Sequence, residues 1–449
     1  MSKVVRERLQ QTIQCMKEAT QVIGQLCAGA HADMTQADRM LTGLLTETQE
    51  LAIAFGTKIE AVKGLETQTV KELEGYCECL FHVNEYMQTA EQVDAADALK
   101  IQMERVCAAF GSDFPNKKEM VFLPYKASMW DSLESVWKAA DADPECEAYV
   151  IPIPYYDKNP DGTLREFHYE GDKYPSYVPI TDYKEYNLKN RHPDMIYIHN
   201  PYDDCNMVTT VDQEYYSDKL QTYTDELVYI PYFVLGETGV TSEYVKKFCL
   251  TKGVLNADKV IVQSEIIKQA YVNALEDNLG KVDPKGRKWS EKILGLGSPK
   301  IDKIKQTKKT ELIIPDMWKK VIIKPDGSWK KIVFYNTSLT ALLEGNEAVI
   351  KKMKWVFSFF ENRKDEVALL WRPHPLIEST LLSMRPRLYR EYKILKEKYI
   401  KDNWGIYDDS ADLDRAIILC DGYYGDQSSV VPLCQKAGKK VMIQDVFTT

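Results

Sequence analysis

Arg415-Ala-Ile-Ile-Leu-Cys-Asp-Gly-Tyr-Tyr-Gly-Asp-Gln-Ser-Ser-Val-Val-Pro-Leu-Cys434 decides how the last third of the chain is read. Its apolar run, Ala416 to Cys420, has the length and composition of a buried parallel strand. A loop with Gly422, Gly425 and Asp426 follows, and Ser428 and Ser429 then stand where a helix starts before Val430, Val431 and Leu433. Strand, glycine-bearing loop and hydroxyl-rich helix start is how α/β proteins hold a phosphate, with free amides and the positive end of the helix dipole aimed at the anion. Asp426 or a serine capping the first-turn amides would look the same in sequence.

A second stretch favours the phosphate. Val367-Ala-Leu-Leu-Trp-Arg-Pro-His-Pro375 is another buried-strand run, ending in Arg372 and His374 held between prolines. The prolines restrict the backbone at the strand's carboxyl end, the edge where open α/β sheets bind ligands. Arginine presents a fork of donors to a phosphate, and a neighbouring histidine adds one more.

These stretches together resemble the CDP-glycerol glycerophosphotransferase family of teichoic-acid polymerases. In that family an Arg-X-His-Pro strand end and an Asp-Tyr-Ser-Ser loop hold the pyrophosphate of the nucleotide donor; here they match Arg372-Pro-His-Pro375 and Asp426-Gln-Ser-Ser429. Lys331-Ile-Val-Phe-Tyr-Asn-Thr-Ser338 resembles the family's first strand and loop of the nucleotide domain. Gly295-Leu-Gly-Ser-Pro-Lys-Ile-Asp302 resembles its interdomain turn. The match covers residues 290 to 445 and fades before that.

The resemblance implies a fold of the glycosyltransferase B kind, with a C-terminal nucleotide domain facing an N-terminal acceptor domain. It also implies a transferase that moves a polyol phosphate or sugar from a nucleotide-diphosphate donor, CDP-glycerol or a similar CDP-polyol, onto a cell-surface glycan or lipid-linked precursor. Arg372, His374, Ser428 and Ser429 would grip the pyrophosphate, with Thr337 and Ser338 closing the other side of the donor. Asp426, whose charge is wrong for direct phosphate contact, would organise the loop. No metal-ligand cluster or cofactor motif stands out in the sequence, so stabilising the leaving group would fall to side chains and helix amides.

The whole chain is compatible with this. At 449 residues it has room for two or three domains, and 44% hydrophobic with 28% charged residues suits a globular protein. A net charge of −9 argues against a nucleic-acid binder. No run is apolar enough to span a bilayer, no signal-peptide core opens the chain, and ten scattered cysteines fit reduced thiols in the cytoplasm.

Residues 1–112 lack proline and carry apolar stripes at helical spacing. Leu9, Ile13, Met16, Ile23 and Cys27 form one stripe, and Leu41, Leu44, Thr48, Leu51, Phe55, Ile59 and Val62 another. A helical bundle is expected, packed on the enzyme body or on a second copy. Peripheral membrane contact is a further option, disfavoured by the acidic, lysine-poor polar faces. From 113 to 302 strands and helices alternate: strands over Met120–Leu123, Ala148–Ile153, Met195–His199, Glu226–Val234 and Lys259–Val262, a helix over Met129–Ala140, and a long loop to 181. A second α/β domain occupies 303–449. The predicted class is therefore α/β, two doubly wound domains behind an α-helical bundle.

The resemblance fails at the general base. The family carries Trp-His-Gly at the end of an N-domain strand, whereas the matching stretch here, Leu227-Val-Tyr-Ile-Pro-Tyr-Phe-Val-Leu-Gly236, has no histidine. Two replacements stand at strand ends: His199, with Asp203 and Asp204 near enough in sequence to orient its ring, and Glu237. Histidine suits a base at neutral pH better. Among the other histidines, His31 and His82 belong to the bundle, His168 to a polar loop and His192 to a turn. Two rival readings remain: a UDP-sugar 2-epimerase-like enzyme, which needs acidic residues near the sugar C2, and a nucleotide-binding scaffold without turnover.

Overall fold

The computed structural model describes residues 3–29, 34–159, 161–374, 377–410 and 412–444. Four helices come first, α1 (Lys3–Ala28), α2 (Met34–Lys63), α3 (Gln68–Glu85) and α4 (Gln92–Asp113). Their heptad-like apolar positions meet in one core: Leu9, Met16 and Ile23 of α1, Leu41, Phe55 and Ile59 of α2, Tyr76 of α3 and Leu99 of α4. Two polar groups close inside it, Thr20 Oγ1 lying 2.7 Å from the Tyr76 hydroxyl. Gly64, at φ 91°, ends α2, and the Thr67 hydroxyl accepts from the Val70 amide to start α3. Val62 is 44% exposed and leaves the predicted stripe. The bundle is seated on the rest of the chain at one end. Lys3 bridges Asp194 at 3.0 Å and also pairs with Asp225, while Arg6 Nη1 donates to the Lys117 carbonyl at 2.8 Å.

Next come β1 (Lys118–Leu123), β2 (Cys146–Val150), β3 (Tyr155–Lys158), β4 (Leu164–His168), β5 (Met195–Ile198), β6 (Thr209–Val211), β7 (Glu226–Tyr229), β8 (Lys259–Ile261) and β9 (Ile293–Leu294). Six of them form a wholly parallel sheet in the order β2-β1-β5-β7-β8-β9. The chain reverses direction across the sheet between β1 and β5. The long loop predicted to run to 181 instead holds β3 and β4, which form an antiparallel sheet with the later β6 in the order β4-β3-β6.

The second parallel sheet has β10 (Lys331–Thr337), β11 (Val367–Pro373), β12 (Ile406–Tyr407), β13 (Gly422–Gly425) and β14 (Lys440–Ile443) in the order β12-β11-β10-β13-β14. The reversal lies between β10 and β13. The α/β class with two doubly wound sheets behind a helical bundle is thus what the chain forms.

Ala416–Cys420 is not a strand: Leu413–Leu419 is a buried helix, capped by the Asp412 side chain on the Arg415 amide. A short buried apolar run fits either structure, and the cap settles it. The strand is Gly422–Gly425, inserted between β10 and β14. Gly425 has φ 149°, and a Cβ there would stand 2.3 Å from the Asn336 carbonyl oxygen, so the two strands approach only because it has no side chain.

The boundary drawn at 302/303 falls inside the helix Pro299–Gln306, which packs on both halves. Its Ile301 and Ile304 join Val234 from the first half within the core of the second.

Gly425→Ala is expected to lower the unfolding free energy by at least about 1–3 kcal/mol, through overpacking and backbone strain together. Urea denaturation of the purified variant measures it; a cost within error would mean that β13 and β10 can separate freely.

Candidate functional site

Parallel pairing brings three strand ends to one edge of the second sheet. Asn336 is in register with Arg372 on one side and with Gly425 on the other. At one strand spacing per step, the Arg372 and Gly425 backbones are about 10 Å apart across β10. The two sequence motifs are therefore neighbours in space, on either side of the strand that ends in Thr337 and Ser338.

Their side chains are already engaged. Asp426, 1% exposed, accepts from the Ser338 amide at 2.7 Å and pairs with the buried Lys352 ammonium at 2.8 Å. It ties together the two loops that flank the point of reversal. The Ser338 hydroxyl caps the helix Leu339–Gly345 through the Ala341 amide, and the Thr337 hydroxyl accepts from the Trp371 indole at 3.2 Å. Ser428 Oγ accepts from the Val430 amide at 3.3 Å, at the start of the helix Val430–Lys436, while Ser429 makes no side-chain cap.

Arg372 is held by its own sheet. Its Nη1 donates to Asp408 at 2.6 Å and its Nη2 to the Ser410 carbonyl at 2.7 Å. Asp408, 1% exposed, carries a charge that a phosphate would have to compete with. Beside this pair is a cavity of about 370 Å³, reached by His374, Lys396 and Tyr407. His374 is exposed, its backbone amide donates to the Thr337 carbonyl at 3.0 Å, and partial burial lowers its pKa below the ordinary histidine value.

The first sheet places its two base candidates differently from the sequence expectation. His199 is fully buried: its Nε2 accepts from the Tyr125 amide at 3.1 Å and its Nδ1 lies 2.9 Å from the Ser132 hydroxyl. Burial pushes its pKa down to about 4, the Lys300 charge adding to that. The carboxylates expected to orient it are occupied elsewhere, Asp203 on Ser217 and Asp204 on Lys252. His199 thus sits buried between the ends of β1 and β5 with both ring nitrogens engaged within the first half. Glu237 is accessible but paired, at 2.8 Å from Lys436 of the second half and 3.0 Å from Gln263. Burial would raise its pKa, yet the hydrogen bonds from Lys436 and Gln263 outweigh that and hold it below the ordinary glutamate value.

The remaining histidines do other work. His82 is exposed beside Glu85, His192 ends a short helix near Asp225, and His168 stacks on Tyr155 at 4.8 Å; His31 lies outside the described residues. Among the described residues, Asp157, Glu166 and His168 bring possible metal-ligand atoms within 4.8 Å of one another. Arg165 already donates to Asp157 at 2.7 Å, so that carboxylate is neutralised without a metal.

The structure adds a site the sequence did not reveal. Where β1 ends, the short turn Ala127–Ser132 and the helix Pro299–Gln306 face the start of Leu413–Leu419 across a cavity of about 470 Å³. Asp131 and Lys300 pair there, and Lys303 lies 3.4 Å from Glu134 and 3.5 Å from Asp414. Burial and the nearby Asp131 charge push the Asp414 carboxyl up to about 7, against the pull of Lys300 and Lys303. Lys300 lies within the quoted Gly295–Asp302 turn and could have been found there. Asp131 and Asp414 carry no local motif.

No family model matches the chain, and no curated protein does. Solved structures with a partly similar course of the chain include the MnaA–UDP complex of S. aureus, at 12% identity and TM-score 0.41 over 73% of this chain and 78% of that one. The UDP-GlcNAc 2-epimerase of Methanocaldococcus jannaschii gives 11%, 0.44, 72% and 82%, and the wall teichoic acid polymerase TagF 12%, 0.37, 82% and 79%. At these scores no residue role passes from them to this chain.

Asp426→Ala should cost about 3–5 kcal/mol, the range for breaking a buried ion pair, since Lys352 keeps the Gln444 carbonyl but loses its counter-charge, as read by denaturant unfolding. For His199, the folded pKa lies below the unfolded one, so its contribution is present above pH 6.5 and is lost as pH falls through about 4. The full effect is about 3 kcal/mol; His199→Gln should abolish that part of the acid dependence. An unchanged stability–pH curve in the variant would refute the buried neutral imidazole.

Proposed function

We propose that the chain is a transferase that binds a nucleotide-diphosphate donor, a CDP-polyol first among them, at the carboxyl edge of its second sheet. The observation that carries this is the meeting of Arg372–His374 and Gly425–Ser429 on either side of Asn336, at the reversal point where α/β sheets bind ligands. Ser428, Ser429 and His374 supply donors to the pyrophosphate, the Val430 and Val431 amides being taken by Ser428. Arg372 joins them by turning part of its fork from Ser410, Asp408 keeping the guanidinium in place. Asp426, Thr337 and Ser338 shape the site from behind. A polyol phosphate or sugar then passes to a glycan or lipid-linked acceptor presented by the first sheet. With His199 buried, Glu237 is the candidate base left from the sequence, and it serves only if Lys436 moves away.

A second reading has one specific observation in its favour. A UDP-sugar 2-epimerase-like enzyme needs acidic groups beside the sugar, and Asp131 and Asp414 stand in the cavity between the halves. One experiment separates the readings. CMP release from CDP-glycerol supports the transferase, UDP-sugar turnover supports the epimerase, and binding without either supports a scaffold.

Arg372→Ala is expected to weaken CDP or UDP binding by about 1.5–3 kcal/mol, the scale of a hydrogen bond to a charged group. Titration calorimetry on a variant confirmed as folded tests this, and unchanged affinity removes Arg372 from the donor site.

A further inference from the structure

The cavity of about 470 Å³ between the halves is lined by polar groups that the fold leaves incomplete. Trp130, from the turn after β1, is 2% exposed, and its indole Nε1 meets no acceptor among the described residues. Asp131 beside it is 6% exposed, and Asp414, from the helix before β13, is 5% exposed. Each keeps one oxygen, Oδ1, without a donor among the described residues. Buried polar groups of these kinds are nearly always satisfied. One open donor and two open acceptors on the wall of a single cavity therefore point to a ligand that completes them.

We propose that, within the transferase reading on which this rests, the cavity is the acceptor subsite and takes a neutral polyhydroxyl group, a sugar ring or a polyol. A hydroxyl group donates once and accepts twice. Two hydroxyls of such a ligand donate to Asp131 Oδ1 and Asp414 Oδ1, while a third accepts from Trp130 Nε1. The Trp130 ring is fixed by packing on Trp137 and Tyr174, with ring centroids 5.7 and 5.9 Å away. Pro175 and Leu413 add apolar wall for the C–H faces of the ligand. Apolar walls with a few placed polar groups, at this volume, are the usual make-up of a small-molecule site.

The charges around the cavity disfavour an anion. Lys300 pairs with Asp131, Lys303 lies 3.5 Å from Asp414 and 3.4 Å from Glu134, and Lys173 lies 3.5 Å from Glu170. Each of these lysines thus has its carboxylate, and Asp412, which caps the Arg415 amide at 2.9 Å, adds a further acidic group to the wall. A phosphate or carboxylate would find no spare cation here and would face like charges, whereas hydroxyls find open acceptors. The cavity also adjoins the donor edge. Arg415 Nη2 donates to Ser410 Oγ at 2.9 Å, and the Ser410 carbonyl accepts from Arg372 Nη2 at 2.7 Å, so one short turn links the cavity wall to the arginine of the donor site.

The test titrates the full chain with glycerol, sorbitol, methyl glucoside and methyl N-acetylglucosaminide. NMR follows the Trp130 indole N–H signal, identified as the one missing in Trp130→Phe. At least one neutral probe should shift it saturably below about 100 mM, and glucose 6-phosphate should bind more weakly than methyl glucoside. Ligand-observed saturation transfer should show affinity for the neutral probe falling about 3–10-fold in Trp130→Phe and about 10–100-fold in Asp414→Asn. The two variants lie in opposite halves, so misfolding of one leaves the other informative. Calorimetry with CDP on the same wild-type sample keeps the donor site apart: the neutral probe should still bind when CDP is saturating. No response to any neutral probe overturns the subsite, whether or not CDP binds. Displacement of the probe by CDP, tighter binding of glucose 6-phosphate, or affinities unchanged in both variants also overturn it. A neutral probe that binds where CDP does not supports the subsite and removes the donor site instead.

Discussion

A buried carboxylate with no water to solvate it must find its counter-charges inside the protein, and Asp426 shows what that requirement organises. Its two oxygens take the Ser338 amide and the Lys352 ammonium, so the end of β10, the end of β13 and the helix Glu347–Glu361 are fixed to one another. The close approach of β13 to β10 depends in turn on Gly425, whose missing side chain leaves room for the Asn336 carbonyl. With these loops fixed, Arg372 and the Ser428–Ser429 turn stand at one level of the sheet edge.

The same requirement explains why residues that look like ligand contacts are often spoken for. Arg372 meets Asp408, Glu237 meets Lys436, and the Thr337 and Ser338 hydroxyls accept from Trp371 and Ala341. Such pairing orients a group as well as occupying it. An arginine held by a carboxylate behind it keeps a fixed aim, and its remaining donors lose less freedom on meeting a ligand.

Between the halves, apolar and charged contacts divide the work. Val234, Ile301 and Ile304 extend the second core towards the first sheet, while Lys300 and Lys303 meet carboxylates from both sides.

Sequence alone determined the classes of structure. The proline-free stretch to 112, with apolar positions at helical spacing, could bury its stripes only as packed helices, and the apolar runs within Lys331–Thr337 and Val367–Pro373 could be covered on both faces only in a parallel sheet. It also marked the two motif loops, because Pro373, Gly425 and the serine pair have local conformational signatures. What each polar side chain does was left to the tertiary structure. Asp412, a helix-cap signal close before Ala416, was there to be read, but nothing near His199 in sequence shows that Tyr125 and Ser132 take both ring nitrogens. Asp131 and Asp414, far apart in the chain, line one cavity only because a helix carrying Lys300 and Lys303 pairs with each of them. Periodicity reports which face of an element is apolar. Burial, pairing and proton affinity belong to groups distant in the chain, and only the folded contacts decide them.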